Sequence, residues 1–142
     1  RCYNFHPGLL PQYRGAGAFS WAILNGDKMC GVTLHELDVD IDTGPIINMI
    51  AFPVEAWDTA ETLFKKGMDF IFELFQRYFL QLLSGKYAST PQDRDSKKGH
   101  TYYRKDLERQ RDLTRFVRAF TFAGKESAYY VYRNGVKREL EW

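Results

Sequence analysis

A strand ending in Asn4-Phe5-His6, stopped at once by Pro7-Gly8, constrains this chain more than any other stretch. Two residues apart on an extended strand, Asn4 and His6 project from the same face. Cys2, Tyr3 and Phe5 give the surrounding residues a strand-like composition, and Pro7 cannot continue the ladder. The amide and the imidazole are therefore expected together at a strand end, where open α/β sheets place their ligands. An amide can donate to a developing oxyanion, and an imidazole can take or return a proton near neutral pH. A carboxylate would complete the set. Asp42, in the loop Asp38-Val39-Asp40-Ile41-Asp42-Thr43-Gly44-Pro45, is the candidate.

Three blocks then follow one another in order. Asn4-x-His6-x-x-Leu9-Leu10-Pro11-x-x-Arg14-Gly15, Gly31-Val32-Thr33-x-His35 and Asp42-Thr43-Gly44-x-Ile46-Ile47 together resemble the signature of the folate-dependent formyltransferases. The resemblance implies an α/β fold: the C-terminal half of a Rossmann-like formyltransferase domain (1–85), a linker (86–111) and a small C-terminal helix and β-hairpin motif (112–142). It implies catalytic roles for Asn4, His6 and Asp42 and N10-formyltetrahydrofolate as co-substrate. Leu9, Leu10 and Pro11 line the folate pocket or pack locally, and both readings stand. The backbone of Asp38, Val39 and Asp40 is expected near the pterin. Arg14 either pairs with an anionic substrate group or braces the loop beside Gly15.

The acceptor implied is the amine of a nucleotide-linked amino sugar, because a compact helix and hairpin at the end resembles the sugar-nucleotide branch. A methionyl-tRNA formyltransferase-like enzyme, or a non-catalytic truncated module used for assembly, is the alternative. The resemblance also implies an N-terminal portion of nearly a hundred residues ahead of Arg1, on the order of ordinary domain lengths. Without it, strand 1–6 is expected to lack its parallel neighbours, and the isolated chain is expected to be inactive.

Composition excludes some classes. Among 142 residues, 20 basic and 18 acidic ones leave a net charge of +2, so no general attraction to nucleic acid or membrane follows. The basic residues Lys97, Lys98, Arg104, Lys105, Arg109, Arg111, Arg115 and Arg118 are interleaved with acids, as on a solvated surface. No apolar run reaches the length of a membrane span. Cys2 and Cys30 lack both metal-ligand spacing and the density of a disulfide framework, and read as free thiols of a reducing cytosol. His35 and Asp38 have no third partner at ligand spacing, so no metal is expected and His35 reads as a supporting residue.

Along the chain, Ala16–Asn25 is predicted as a helix closed by Gly26, and Cys30–Leu37 as a strand with Thr33 and His35 on one face and Val32 and Leu34 on the other. The apolar run Ile46–Phe52 predicts a strand buried on both faces. Asp58 and Glu61 are placed as N-cap and reciprocating partner of a helix of about 26 residues, about 39 Å long. Phe64, Phe75 and Phe79 widen its apolar face enough to meet a partner, and a homodimer is expected. Asp112 is expected to cap a short helix through Arg118. Asn134-Gly135 is expected as the turn of a hairpin.

Overall fold

The computed structural model describes residues 1–93, 100–101, 112–124, 129–131 and 137–139. The first four strands and two helices are β1 (Tyr3–His6), β2 (Tyr13–Arg14), α1 (Ala18–Asn25), β3 (Met29–Glu36), β4 (Ile46–Pro53) and α2 (Ala60–Ser84). There follow β5 (His100–Thr101), α3 (Leu113–Phe120), β6 (Tyr129–Val131) and β7 (Lys137–Glu139).

The sheet is ordered β1-β3-β4, and both pairings are antiparallel. β1 is therefore not left without a neighbour, but the one it has is antiparallel and on one side; among the described residues it lacks a parallel neighbour. The reason lies in the connection. The loop after His6 and the eight-residue α1 lead into β3, which returns beside β1 in the opposite direction, with His6 opposite Thr33 and Asn4 opposite His35. Gly26 closes α1 in the left-handed conformation, and its N–H and that of Asp27 bond back to Ile23 and Ala22 carbonyls.

β4 corrects a second expectation. Its apolar run is half-buried, with Phe52 its only buried residue, because β4 lies at the edge of the three strands. One face of the sheet is covered by α2. Phe5 meets Phe75 edge-on at 6.1 Å, Phe52 stacks on Phe70 at 4.9 Å, and Asn48 donates to the Tyr78 hydroxyl. Val32, Leu34, Leu63 and Leu74 are buried between these layers, with Phe19, Trp21 and Ile23 of α1 extending the core. The outer side of α2 exposes Phe72, Leu80 and Leu83. A groove of about 620 Å³ runs between its last turns and β1, lined by Tyr3, Phe5, Phe75, Phe79, Leu82 and Leu83 among others.

The start of α2 is shifted by one residue from its predicted cap. Thr59 is the N-cap and forms a reciprocal box with Thr62, while Gly85 closes the far end. Asp58 is drawn instead into a buried cluster, accepting from Lys66 Nζ at 2.8 Å, Thr62 Oγ1 at 2.8 Å and the Glu55 N–H at 2.9 Å. Glu61 pairs with Lys65. Buried charge is stable only when paired and hydrogen-bonded, so the tertiary cluster overrides Asp58 as a cap.

α3 is capped by Asp112, as expected, through the Arg115 N–H. It docks by burying Val117 and Ala119, with Phe116 and Phe120 against the core, and through main-chain oxygens. Arg118 donates to the Asp58 carbonyl at 2.7 Å and the Glu55 carbonyl at 3.0 Å. Ser20 donates to the Ala119 carbonyl at 2.7 Å, and the Glu61 N–H to the Thr121 carbonyl at 3.2 Å. β6 and β7 pair antiparallel. The Asn134-Gly135 turn expected between them lies outside the described residues.

Within the stretch read as a surface linker, residues 87–92 run along the sheet. Thr90 and Ile46 exchange two main-chain bonds of 2.8 Å, Ser89 donates to Glu36, and β5 pairs parallel with β2. These contacts bring Gln92 beside the Asp42 loop.

Candidate active site

Antiparallel pairing turns the two-residue spacing of the sequence into a two-by-two patch. Asn4 and His6 on β1 sit across from His35 and Thr33 on β3, and all four share the face turned away from α2. Thr33 is fully buried and fixes the next segment. Its hydroxyl donates to the Gly8 carbonyl at 2.7 Å and accepts the Leu10 N–H at 3.2 Å. The chain after His6 is thereby folded back over the patch. Tyr13 O comes within 2.5 Å of His6 Nε2.

Asp42 enters from the loop between β3 and β4 and gathers the patch. Its Oδ1 accepts from Asn4 Nδ2 at 3.2 Å and lies 3.5 Å from His35 Nε2. Its Oδ2 accepts the Gly15 N–H at 2.9 Å and lies 3.4 Å from His6 Nδ1. Asp42 holds φ at 52°, in the left-handed region that non-glycine residues seldom enter. Such a conformation costs on the order of 1–3 kcal/mol and persists where the surroundings over-determine it. Two residues on, an added Cβ at Gly44 would lie 1.9 Å from the Glu36 carbonyl oxygen. Only glycine fits there, and that contact keeps the loop tight against β3.

Hydrogen-bond partners set the tautomers. His35 Nδ1 lies 2.7 Å from its neighbour's Glu36 carbonyl and carries the proton, leaving Nε2 to accept from Asn4 Nδ2 at 3.3 Å. His6 carries its proton on Nε2, toward Tyr13, so Nδ1 presents a lone pair to Asp42. Burial pushes the His6 imidazole below its ordinary pKa. Asp42 and the Tyr13 carbonyl pull the other way, and His35 adds a smaller lowering. The site thus combines a neutral imidazole, a carboxylate and an amide within hydrogen-bond reach of one another.

The structure brings Asn4, His6 and Asp42 together. His35, read from sequence as a supporting residue, touches both Asn4 and Asp42 and is fully buried. Arg14 is 7% exposed and donates through Nε and Nη2 to the Gln92 side chain at 3.3 and 3.0 Å. Leu10 is 1% exposed and belongs to the interior, whereas Leu9 and Pro11 are half-buried. Asp38 and Asp40 are exposed with Val39, which is 91% exposed at the loop tip. Among the described residues, no group of three or more His, Cys, Asp or Glu could hold a metal ion, and no helix is long and apolar enough to cross a membrane.

Gln92 is the site residue that sequence reasoning missed. It lies in a polar, turn-rich stretch, and nothing in its neighbours distinguishes it.

Comparison with known proteins gives the family. A family profile described as formyl transferase matches residues 1–77, and the chain belongs to that family. It is 42% identical over 91 residues to methionyl-tRNA formyltransferase of Azobacteroides pseudotrichonymphae, covering 64% of this chain and 28% of that protein. It is 36% identical over 114 residues to dTDP-4-amino-4,6-dideoxyglucose formyltransferase of Mycobacterium bovis, covering 80% of this chain and 47% of that one. The chain thus spans less than half the length of these curated relatives. Among solved structures, a sugar N-formyltransferase from a Shewanella species matches all of this chain and 61% of its own, with TM-score 0.85 and 25% identity. An N-formyltransferase from Helicobacter canadensis in complex with folinic acid and dTDP-3-aminofucose matches 84% of this chain and 47% of its own, with TM-score 0.76 and 29% identity.

Proposed function

We propose that this chain carries the catalytic face of an enzyme transferring a formyl group from N10-formyltetrahydrofolate to the amine of a nucleotide-linked amino sugar. The observation that carries the reading is the convergence of Asn4, His6 and Asp42, from one strand and one loop, within 3.2–3.4 Å contacts. When bound, the folate would supply an activated formyl carbon: attack by a neutral amine puts negative charge on the formyl oxygen and positive charge on the nitrogen, and transfer is complete when the bond from that carbon to N10 breaks and the proton lost by the amine ends on N10 of the released tetrahydrofolate.

The residues answer both charges. Asn4 Nδ2 spends its two hydrogens on Asp42 at 3.2 Å and His35 at 3.3 Å in this structure, and the one on His35 is exchanged for the formyl oxygen as charge develops there. Loss of one such donor costs on the order of 3 kcal/mol of barrier. Asp42, its side chain 13% exposed, receives the proton from the amine side and shares it with the lone pair on His6 Nδ1. A depressed His6 pKa keeps that nitrogen unprotonated, and therefore able to accept, near neutral pH.

The exposed Val39 and the main-chain groups of Asp38 and Asp40 are open to a pterin ring, and half-buried Leu9 and Pro11 are the further apolar candidates for the folate pocket. Leu10 supports them from the interior. Arg14, expected as a substrate contact or a brace, acts here as a brace through Gln92.

A methionyl-tRNA acceptor is the second reading, favoured by the 42% identical relative. The sugar reading is supported by the longer alignment to the aminosugar enzyme, 114 residues against 91. The sugar enzyme from Shewanella also matches the whole chain. We further propose a homodimer, supported by the exposed apolar residues of α2. A monomer by light scattering at tens of micromolar overturns it.

The assay is formyl transfer by the whole reading frame that carries these residues, with N10-formyltetrahydrofolate and either nucleotide-linked amino sugars or methionyl-tRNA. Formylation of an amino sugar supports the proposal. Formylation of methionyl-tRNA alone, or of neither, overturns it.

A further inference from the structure

We propose that Gln92 is a positioning residue that locks Asp42 in its left-handed conformation and so holds the carboxylate on His6 and Asn4. This rests on the formyl-transfer reading for its kinetic consequence, though not for its geometry.

A primary amide has two hydrogens to donate and one oxygen with two lone pairs. At Gln92 all four are used. Nε2 donates to the carbonyl of Asp42 itself at 2.9 Å and to the carbonyl of Gly44 at 2.7 Å. Oε1 accepts from Arg14 Nε at 3.3 Å and Nη2 at 3.0 Å. The two carbonyls belong to the turn at which φ is 52°, so the amide grips the strained turn from its main-chain side while Asp42 points its carboxylate into the site.

Arg14 is the neighbour of Gly15, whose N–H donates to Asp42 Oδ2. Gln92 therefore joins the backbone of the Asp42 loop to the segment that receives its side chain. The strap carrying Gln92 is fixed by the two 2.8 Å bonds between Thr90 and Ile46, two residues before it.

The residue type follows from this. Glutamate would keep the acceptors for Arg14 but face two carbonyl oxygens without a hydrogen. Asparagine is one methylene short. Methionine keeps the length and loses every polar contact.

Two consequences separate the lock from a mere tether for Arg14. When the lock is lost, Asp42 relaxes away from His6, and the raising influence it exerts on that imidazole weakens. Turnover then falls while folate affinity holds, because a catalytic group displaced by about 1 Å costs on the order of a hundredfold in rate.

The experiment compares Gln92→Met and Gln92→Glu with the parent protein. In the 142-residue chain, ring-nitrogen NMR of Gln92→Met is expected to show His6 titrating lower still than in the parent, with the far-UV spectrum unchanged. In the whole reading frame, both variants are expected to lose about 10- to 100-fold in kcat with little change in KM for the folate.

Full activity in Gln92→Glu would make Arg14 the only partner that matters, and would overturn the proposal. An unaltered His6 titration in Gln92→Met would also overturn it, as would loss of the whole fold in that variant. The titration needs no substrate. Absence of formyl transfer by the parent protein would therefore overturn the function while leaving the lock to be judged by NMR alone.

Discussion

Gly8 offers the sharpest test of how this site is held. Its φ is ordinary, so the need for glycine here is a matter of space. A Cβ built on it would lie 2.7 Å from Ala18 Cβ, in the first turn of α1, and 2.7 Å from His6 Nε2. Relaxed carbon contacts lie at about 3.5–4.0 Å, so each neighbour must withdraw by roughly 1 Å. His6 has no room to do so. It is 3% exposed and pinned by Tyr13 O at 2.5 Å on one side and Asp42 at 3.4 Å on the other. Overpacking of this kind costs about 1–3 kcal/mol, and a 1 Å displacement of a catalytic group costs about a hundredfold in rate. Gly8→Ala is therefore expected to lower the urea midpoint modestly and turnover severely.

A companion substitution separates the two effects. Ala18→Gly removes one clash and leaves the other, at a helix cost of up to about 1 kcal/mol. The double variant should regain much of its stability without regaining turnover. Full turnover in Gly8→Ala, or joint recovery of both properties in the double variant, would refute the packing argument.

Other expectations follow from the same contacts. Asp42→Asn places a hydrogen donor against either Asn4 Nδ2 or the Gly15 N–H, so kcat should fall by roughly a hundredfold or more with KM little changed. Near-normal turnover would remove the role given to the carboxylate. His6, whose pKa in the fold lies below its ordinary 6.5, is more readily protonated in the unfolded chain. Its contribution to stability is therefore present above pH 6.5 and lost as pH falls toward its native value. Urea midpoints should drop over that window in the parent and change less in His6→Gln, and equal slopes would contradict this. Cys30 is buried and its thiol is pushed up to about 12, whereas Cys2 is exposed. A thiol reagent at pH 8 should label Cys2 at once and Cys30 only on unfolding, and two equally fast thiols would disprove it.

The sequence made the site more legible than the sheet around it. Asn4 and His6 share a face in any extended strand, so their juxtaposition needed only the period of a strand and the stop at Pro7. Asp42 could be named from the order of the three blocks, but its left-handed φ could not. Pairing direction was hidden because an eight-residue helix between two strands serves equally well at one end of a sheet or as part of a crossover. The cap of α2 was ambiguous by one residue: Asp58-x-x-Glu61 and Thr59-x-x-Thr62 both have the form, and Lys66, one turn beyond Thr62, decided between them by claiming Asp58. The Ile46–Phe52 run gave the composition of a central strand to what became an edge. Gln92 left no local trace, since its four hydrogen bonds go to the residues at positions 14, 42 and 44.

The docking of α3 has a consequence of another kind. Arg118 reads the oxygens of Glu55 and Asp58, and the oxygens of Ala119 and Thr121 are read in turn by Ser20 and by the main chain of Glu61. Part of what is recognised at this joint is backbone shape, and the rest is side-chain packing, with Val117 and Ala119 buried and Phe116 and Phe120 against the core. A substitution there that keeps the turn before α2 but alters Val117 or Ala119 therefore still disturbs the joint. Because α3 rests on α1, and the first turn of α1 abuts Gly8 beside His6, the packing of this seam is continuous with the ground on which the site stands.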